Sequence, residues 1–196
     1  MDILAHTLWT GALAKTANKN KKVVEKNKKP LRVGWAALWG VLPDFFAFSF
    51  PFLAMIFFIV TGEMSLSSFG EHHGFGFPAG SEWISSLPPK LYSISHSLVI
   101  FSATFLVIWA IRARRARKDP TRSGGPYYEM LGWALHILID IPSHAGNFYP
   151  TPFLWPVSDY KFLHGVSWAN PTYMIINYSA LAIVCVYFYL TRKKNK

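Results

Sequence analysis

From Thr172 to Leu190 the chain carries no charged residue, and Arg192, Lys193, Lys194 and Lys196 follow soon after. A helix needs about 20 apolar residues to cross the roughly 30 Å hydrocarbon core of a bilayer. This segment therefore commits the chain to a membrane. Three further apolar stretches, Val33 to Thr61, Ile94 to Ile111 and Tyr127 to Ile141, extend that to a polytopic protein. Of the 196 residues 52 % are apolar and only 15 % charged, which excludes intrinsic disorder, a fibrous repeat and an ordinary soluble enzyme. The expected architecture is an all-α helical bundle forming a single integral-membrane domain over residues 1–196. It has four full spans plus a short N-terminal membrane-inserted helix.

The net charge of +10 raises the question of nucleic acid, and the placement of the charges answers it. All basic residues except Lys90 and Lys161 fall in three clusters: Lys15 to Arg32, Arg112 to Arg122, and Arg192 to Lys196. Each cluster abuts an apolar run, the pattern of cytoplasmic loops in a multispan protein rather than of a nucleic-acid footprint. The intervening connections, Gly62 to Ser93 and Pro142 to Pro171, hold Glu63, Glu71, Glu82 and Asp159. The expected topology places all three basic clusters and the C-terminus in the cytoplasm of a cell with an inner (plasma) membrane. The expected partners are membrane lipids, with anionic headgroups at the basic loops and no nucleic acid. The single cysteine, Cys185, excludes a disulfide framework and a cysteine-rich zinc cluster, so any metal site must use His and carboxylates.

Ionisable side chains inside spans are costly and by default mark function. At about 1.5 Å rise per residue, Asp44 stands roughly 18 Å from the inner boundary, His96 roughly 24 Å, and His136 and Asp140 roughly 15 and 21 Å. If Met1 to Ala14 rises into the bilayer from Lys15, His6 reaches roughly 14 Å; the other reading is an amphipathic helix on the inner surface. Five groups from four segments thus share one layer.

Each also has a plainer reading. His136 and Asp140 form HxxxD on one helical face, which suits two ligands of one metal, a His with its orienting carboxylate, or a buried hydrogen-bonded pair. Asp44 follows Pro43, which is expected to break the first span, and could cap a helix restarting at Phe45. His96 lies in Ser95-His96-Ser97 at the start of a span. Pro142 is expected to end the third helix, after which His144 can fold back over the site as an acid or base alongside Asp140. His72 and His73 are read as solvated in a Gly-rich outer loop, and His164 as a weak candidate. A serine-hydrolase reading through Ser95 or Ser97 lacks a nucleophile elbow.

The ordered set is Asp-Ile-Leu-Ala-His6-Thr-Leu, Gly-Val-Leu-Pro-Asp44, Ser-His96-Ser-Leu, and Leu-His136-Ile-Leu-Ile-Asp140 with Gly146 and Pro156 downstream. It resembles the family of membrane-bound, metal-dependent hydrolases also described as LexA-binding, inner-membrane-associated proteins. The resemblance covers nearly the whole chain through short, separated motifs. It departs from the family pattern in having Lys90 as the nearest basic residue before the His-Ser motif, and in the long outer insertion with His72 and His73. It implies metal ligation by His6, Asp44, His96, His136 and Asp140. Three His and two carboxylates suit zinc best, with manganese or iron as alternatives.

The expected function is hydrolysis of a phospholipid or lipid-linked phosphoester or ester by metal-activated water, in a cavity opening to the outer side. The alternatives are a metal-ion or proton transporter using the same residues as a relay, and a non-catalytic metal-binding membrane protein.

Overall fold

The computed structural model describes residues 1–27, 29–65, 77–119, 121–146 and 149–193. Eight helices follow in chain order: α1 (Ile3–Lys19), α2 (Lys21–Asn27), α3 (Val33–Val60), α4 (Glu82–Ser85), α5 (Leu87–Ser95), α6 (Leu98–Lys118), α7 (Leu131–Ser143) and α8 (Pro171–Lys193). A 3-10 turn, Tyr128–Met130, leads into α7. Among the described residues the only β pairing is an isolated bridge between Ala145 and His164. The all-α expectation holds.

The number of spans is smaller than expected. α3 and α8 are long and apolar enough to cross a membrane, and α5 with α6 forms a third candidate bent by 61° at the break. The stretch Tyr127 to Ile141 is not a full span. Its helix has 13 residues, about 20 Å of rise against a core of about 30 Å. It is instead an interior helix, burying Gly132, Trp133, His136, Ile137, Asp140 and Ser143.

Two prolines are accommodated rather than helix-ending. α3 runs unbroken through Pro43 and Pro51, so Asp44 caps nothing and lies mid-helix. Membrane helices tolerate proline where neighbouring groups take up the freed backbone, and here the Gly40 carbonyl, next to that of Trp39 which Pro43 deprives of its donor, is met by His136. α7 likewise continues past Pro142 to Ser143, and the Pro142 carbonyl accepts from Val166 N at 2.9 Å.

Small residues set the packing. A Cβ on Gly40 would overlap the Thr10 side chain, and one on Gly132 would overlap the Ala36 carbonyl. α1 and α7 therefore both lie close against the Ala36–Gly40 turn of α3, the small-residue mode by which membrane helices approach. Thr10 turns its hydroxyl back to the His6 carbonyl at 2.7 Å, and both that hydroxyl and its methyl lie against Gly40.

The first two basic clusters and the last described turns of α8 meet at one end of the bundle. Arg32 Nε pairs with the buried Glu129 at 3.1 Å and its guanidinium lies over Tyr127, which also faces Arg112. Lys15 and Lys19 lie over Phe188, and Lys19 reaches Thr191 at 3.0 Å. At the opposite end of α7 the segment 149–170 folds across the helix tips. Leu98 N donates to Phe153 O and Trp168 N to Ser143 O, both at 2.9 Å, and the Ser97 hydroxyl donates to the Trp155 carbonyl.

Candidate metal centre

Two short helices end where α3 and the α5–α6 bend pass. α1 runs from the basic end with His6 near its far tip, and α7 brings His136 and Asp140 up beside it. The bend places His96 at the C-cap of α5, before Ser97 caps α6 by accepting from Val99 N and Ile100 N at 3.1 Å. The helix expected from Ile94 therefore begins at Leu98, and His96 occupies the junction. His6, His96, His136 and Asp140 have no solvent exposure, and Asp44 has 8 %.

The histidine backs fix their fronts. His136 Nδ1 lies 2.7 Å from the Gly40 carbonyl, which can only accept, so Nδ1 carries the proton and Nε2 of the neutral ring is a lone pair. His96 Nδ1 lies 3.2 Å from the Tyr92 carbonyl and 2.9 Å from Ser95 Oγ, which assigns its Nε2 the same way. Yet the two Nε2 atoms face each other at 3.0 Å. Asp140 Oδ2 lies 3.1 Å from His136 Nε2 and 3.3 Å from His96 Nε2; Asp44 Oδ1 lies 3.7 and 3.4 Å from the same atoms. Asp140 Oδ2 has no hydrogen-bond partner. Among the described residues no Lys or Arg pairs with either carboxylate, and the Met1 ammonium meets Asp140 at Oδ1, leaving Oδ2 and Asp44 without a cation.

Four electron-pair donors thus converge in a buried space, an arrangement that is costly without a cation. Asp44, His96, His136 and Asp140 each offer one ligand atom, all within 4.8 Å of one another. Donors held about 2.0–2.1 Å from a tetrahedral zinc ion stand about 3.3–3.4 Å apart, and the His–His and His–carboxylate separations of 3.0–3.7 Å bracket that value. The donor set fits a divalent metal.

His6 is brought to the cluster but stands behind it. Its Nε2 lies 2.9 Å from Asp140 Oδ1, the oxygen facing away from His96, and its ring stacks on His136 at 3.6 Å. The same Oδ1 is met by the Met1 nitrogen at 2.5 Å and lies 3.7 Å from His144 Nε2. His144 is turned by the Tyr149 carbonyl, 2.8 Å from its Nδ1, so that Nε2 faces Asp140. His164 is exposed at the 145–164 bridge, away from the cluster. His72 and His73 lie outside the described residues.

The sequence reading missed Tyr92. Its ring stacks on His96 at 3.7 Å, and its hydroxyl lies 2.8 Å from His144 Nδ1 and 3.1 Å from the Tyr149 carbonyl. Its signal was available: Tyr92 precedes His96 by one helical turn, the same spacing as His136 and Asp140.

The fold and cluster together define an all-helical membrane protein with a buried His–carboxylate centre. The chain belongs to the YdjM inner membrane protein family, whose family model matches residues 1–195. No protein of curated function and no solved structure matches it.

Proposed function

We propose that this protein is a membrane-embedded zinc-dependent hydrolase acting on a phospholipid or lipid-linked phosphoester or ester. The observation that carries the reading is the convergence of His96 Nε2, His136 Nε2, Asp44 Oδ1 and Asp140 Oδ2 with both imidazoles locked from behind. A zinc ion held there supplies Lewis acidity toward a phosphoryl or acyl oxygen and lowers the pKa of water; manganese and iron are the alternatives.

The chain's own residues supply the rest. Asp140 holds the cluster with one oxygen and collects His6 and the Met1 nitrogen with the other. His144, oriented by Tyr149 and Tyr92, accepts from the Met1 nitrogen through Nε2 at 3.1 Å on that side of Asp140, which places an imidazole there that can pass a proton as general acid or base. A purely structural metal site has no use for an oriented histidine beside it. A transporter needs a polar path through the bundle, but Met130 and Trp133, which lie between Glu129 and His136 in the chain, pack with Ile137 and Phe101 in an apolar cluster. That apolar plug favours a one-sided site.

In this reading the basic end is cytoplasmic, its Lys and Arg residues contact anionic headgroups, and the centre opens toward the outer side. The test is direct: purified protein loaded with zinc is given phospholipid vesicles, and release of phosphate or fatty acid is followed. Release that stops on chelation and returns with zinc supports the proposal. Absence of release across diacyl phospholipids and lipid-linked phosphates, with zinc bound, defeats it.

A further inference from the structure

An open groove of about 650 Å³ runs between α7 and α8 with α1 as its floor, within the range of about 300–1,000 Å³ typical of ligand sites. Its walls are apolar: Ala12 and Leu13 of α1, Leu135 and Leu138 of α7, Ala180 and Val184 of α8. It follows α1 from Met1 to Thr16, a rise of about 22 Å, and α8 is one of the two helices able to cross the membrane by itself. A groove of this shape beside lipid-exposed helices is a place for a hydrocarbon chain.

Two further observations say what the chain is attached to. At its upper end the groove is bounded by Met1, Pro142 and Tyr173. Met1 N touches Asp140 Oδ1, and the hydroxyl of Ser143, next to Pro142, donates toward the same oxygen at 3.5 Å. The head of any occupant therefore arrives at the metal centre. One turn below Tyr173 the wall carries Asn177, only 7 % exposed. Trp9 Nε1 can only donate, so it holds Asn177 by Oδ1, at 2.8 Å. The amide Nδ2 is left buried with no hydrogen-bond partner. A buried donor without an acceptor is costly. Trp9 donates to Asn177 itself, and the groove between Thr16 at one end and Tyr173 at the other is lined mainly by hydrocarbon, so the acceptor that completes Nδ2 is an ester carbonyl of a lipid.

We infer that the α1–α7–α8 groove binds one acyl chain of an ester-linked membrane lipid, with its first carbonyl on Asn177 Nδ2 and its headgroup side at Asp140. This deepens the hydrolase reading and rests on it for what happens at the head end, while occupancy of the groove is measurable without turnover.

The probe is phosphatidylglycerol carrying a mid-chain diazirine, photolysed in phosphatidylcholine vesicles with the full-length protein and mapped by mass spectrometry. Labelling should be saturable at Ala12, Leu138 and Ala180 and exceed that on the exposed α3 residues Leu53 and Ile56 at least 5-fold. Ala180→Trp, which fills the groove, should lower it at least 5-fold while leaving Leu53 unchanged. In competition against wild type, unlabelled diester phosphatidylglycerol should displace the probe about 5-fold better than its diether analogue, as one net hydrogen bond implies, and Asn177→Leu should erase the difference. Groove labelling that equals the α3 face and ignores Ala180→Trp overturns the inference. Equal competition by diester and diether lipid overturns it as well, with no variant needed. Saturable groove labelling in a protein that hydrolyses no lipid supports the groove and retires the hydrolase reading; hydrolysis with unsaturable labelling does the reverse.

Discussion

His136 donates through Nδ1 to the Gly40 carbonyl of α3 at 2.7 Å, and this bond decides which way the metal-facing nitrogen points. The carbonyl is offered one residue from the stretch disturbed by Pro43, so a proline that looks destructive in the sequence sits beside the group that orients a ligand. If His136 and Asp140 are ligands, His136→Ala and Asp140→Ala should each lower the zinc retained per chain more than 10-fold even at saturating metal, whereas loss of an outer partner weakens affinity by about 10–100-fold and leaves the saturated stoichiometry unchanged. Elemental analysis of the purified variants measures this. Full zinc content in both would reduce HxxxD to a hydrogen-bonded pair.

His6 separates two arrangements. Its Nε2 contacts Asp140 Oδ1, while the oxygen facing His96 and His136 is Oδ2. The expected outcome for His6→Ala is unchanged zinc stoichiometry at saturating metal with affinity about 10–100-fold weaker, the effect of losing a group that orients a ligand. Chelator competition reads both quantities. A loss of stoichiometry would make His6 a ligand, as the sequence alone suggests.

The HxxxD pair and the shared depth of His6, Asp44, His96 and His136 were legible because helical rise and period convert spacing into position, once the basic clusters anchor one end. Three features were not. The continuity of α3 through Pro43 depends on neighbours that exist only in the bundle, so Asp44 read equally well as a cap. The length of α7 misled, because an apolar run buried among other helices looks like one buried in lipid. Which oxygen of Asp140 meets His6 is a matter of rotamers and packing, invisible to residue spacing.

Close helix approach positions the short helices, and two glycines of α3 distinguish it from propensity. A Cβ at Gly40 meets Thr10, whereas a Cβ at Gly34 meets nothing within 4 Å. Gly40→Ala should destabilise the protein in detergent by about 1–3 kcal/mol, the usual cost of overpacking. Gly34→Ala should be neutral or stabilising by up to about 1 kcal/mol, since alanine favours helix. Thermal unfolding of the pair checks this, and equal behaviour would contradict the packing described.

The proposed topology rests on the gathering of Arg32, Arg112, Lys15 and Lys19 at one end. In a Cys185→Ser background, which removes the exposed native thiol, Lys118→Cys should resist an impermeant maleimide added to intact cells and Asp159→Cys should react. The reverse pattern would turn the centre toward the cytoplasm.

The central claim is that Asp44, His96, His136 and Asp140 hold one divalent metal. Zinc K-edge X-ray absorption on the purified, zinc-loaded protein tests it most directly. The account predicts a first shell of nitrogen and oxygen at about 2.0–2.2 Å, no sulfur, and outer-shell scattering from two imidazoles that falls to one in His96→Ala. A zinc-loaded sample that retains no metal after desalting, or a spectrum unchanged in His96→Ala, would contradict it.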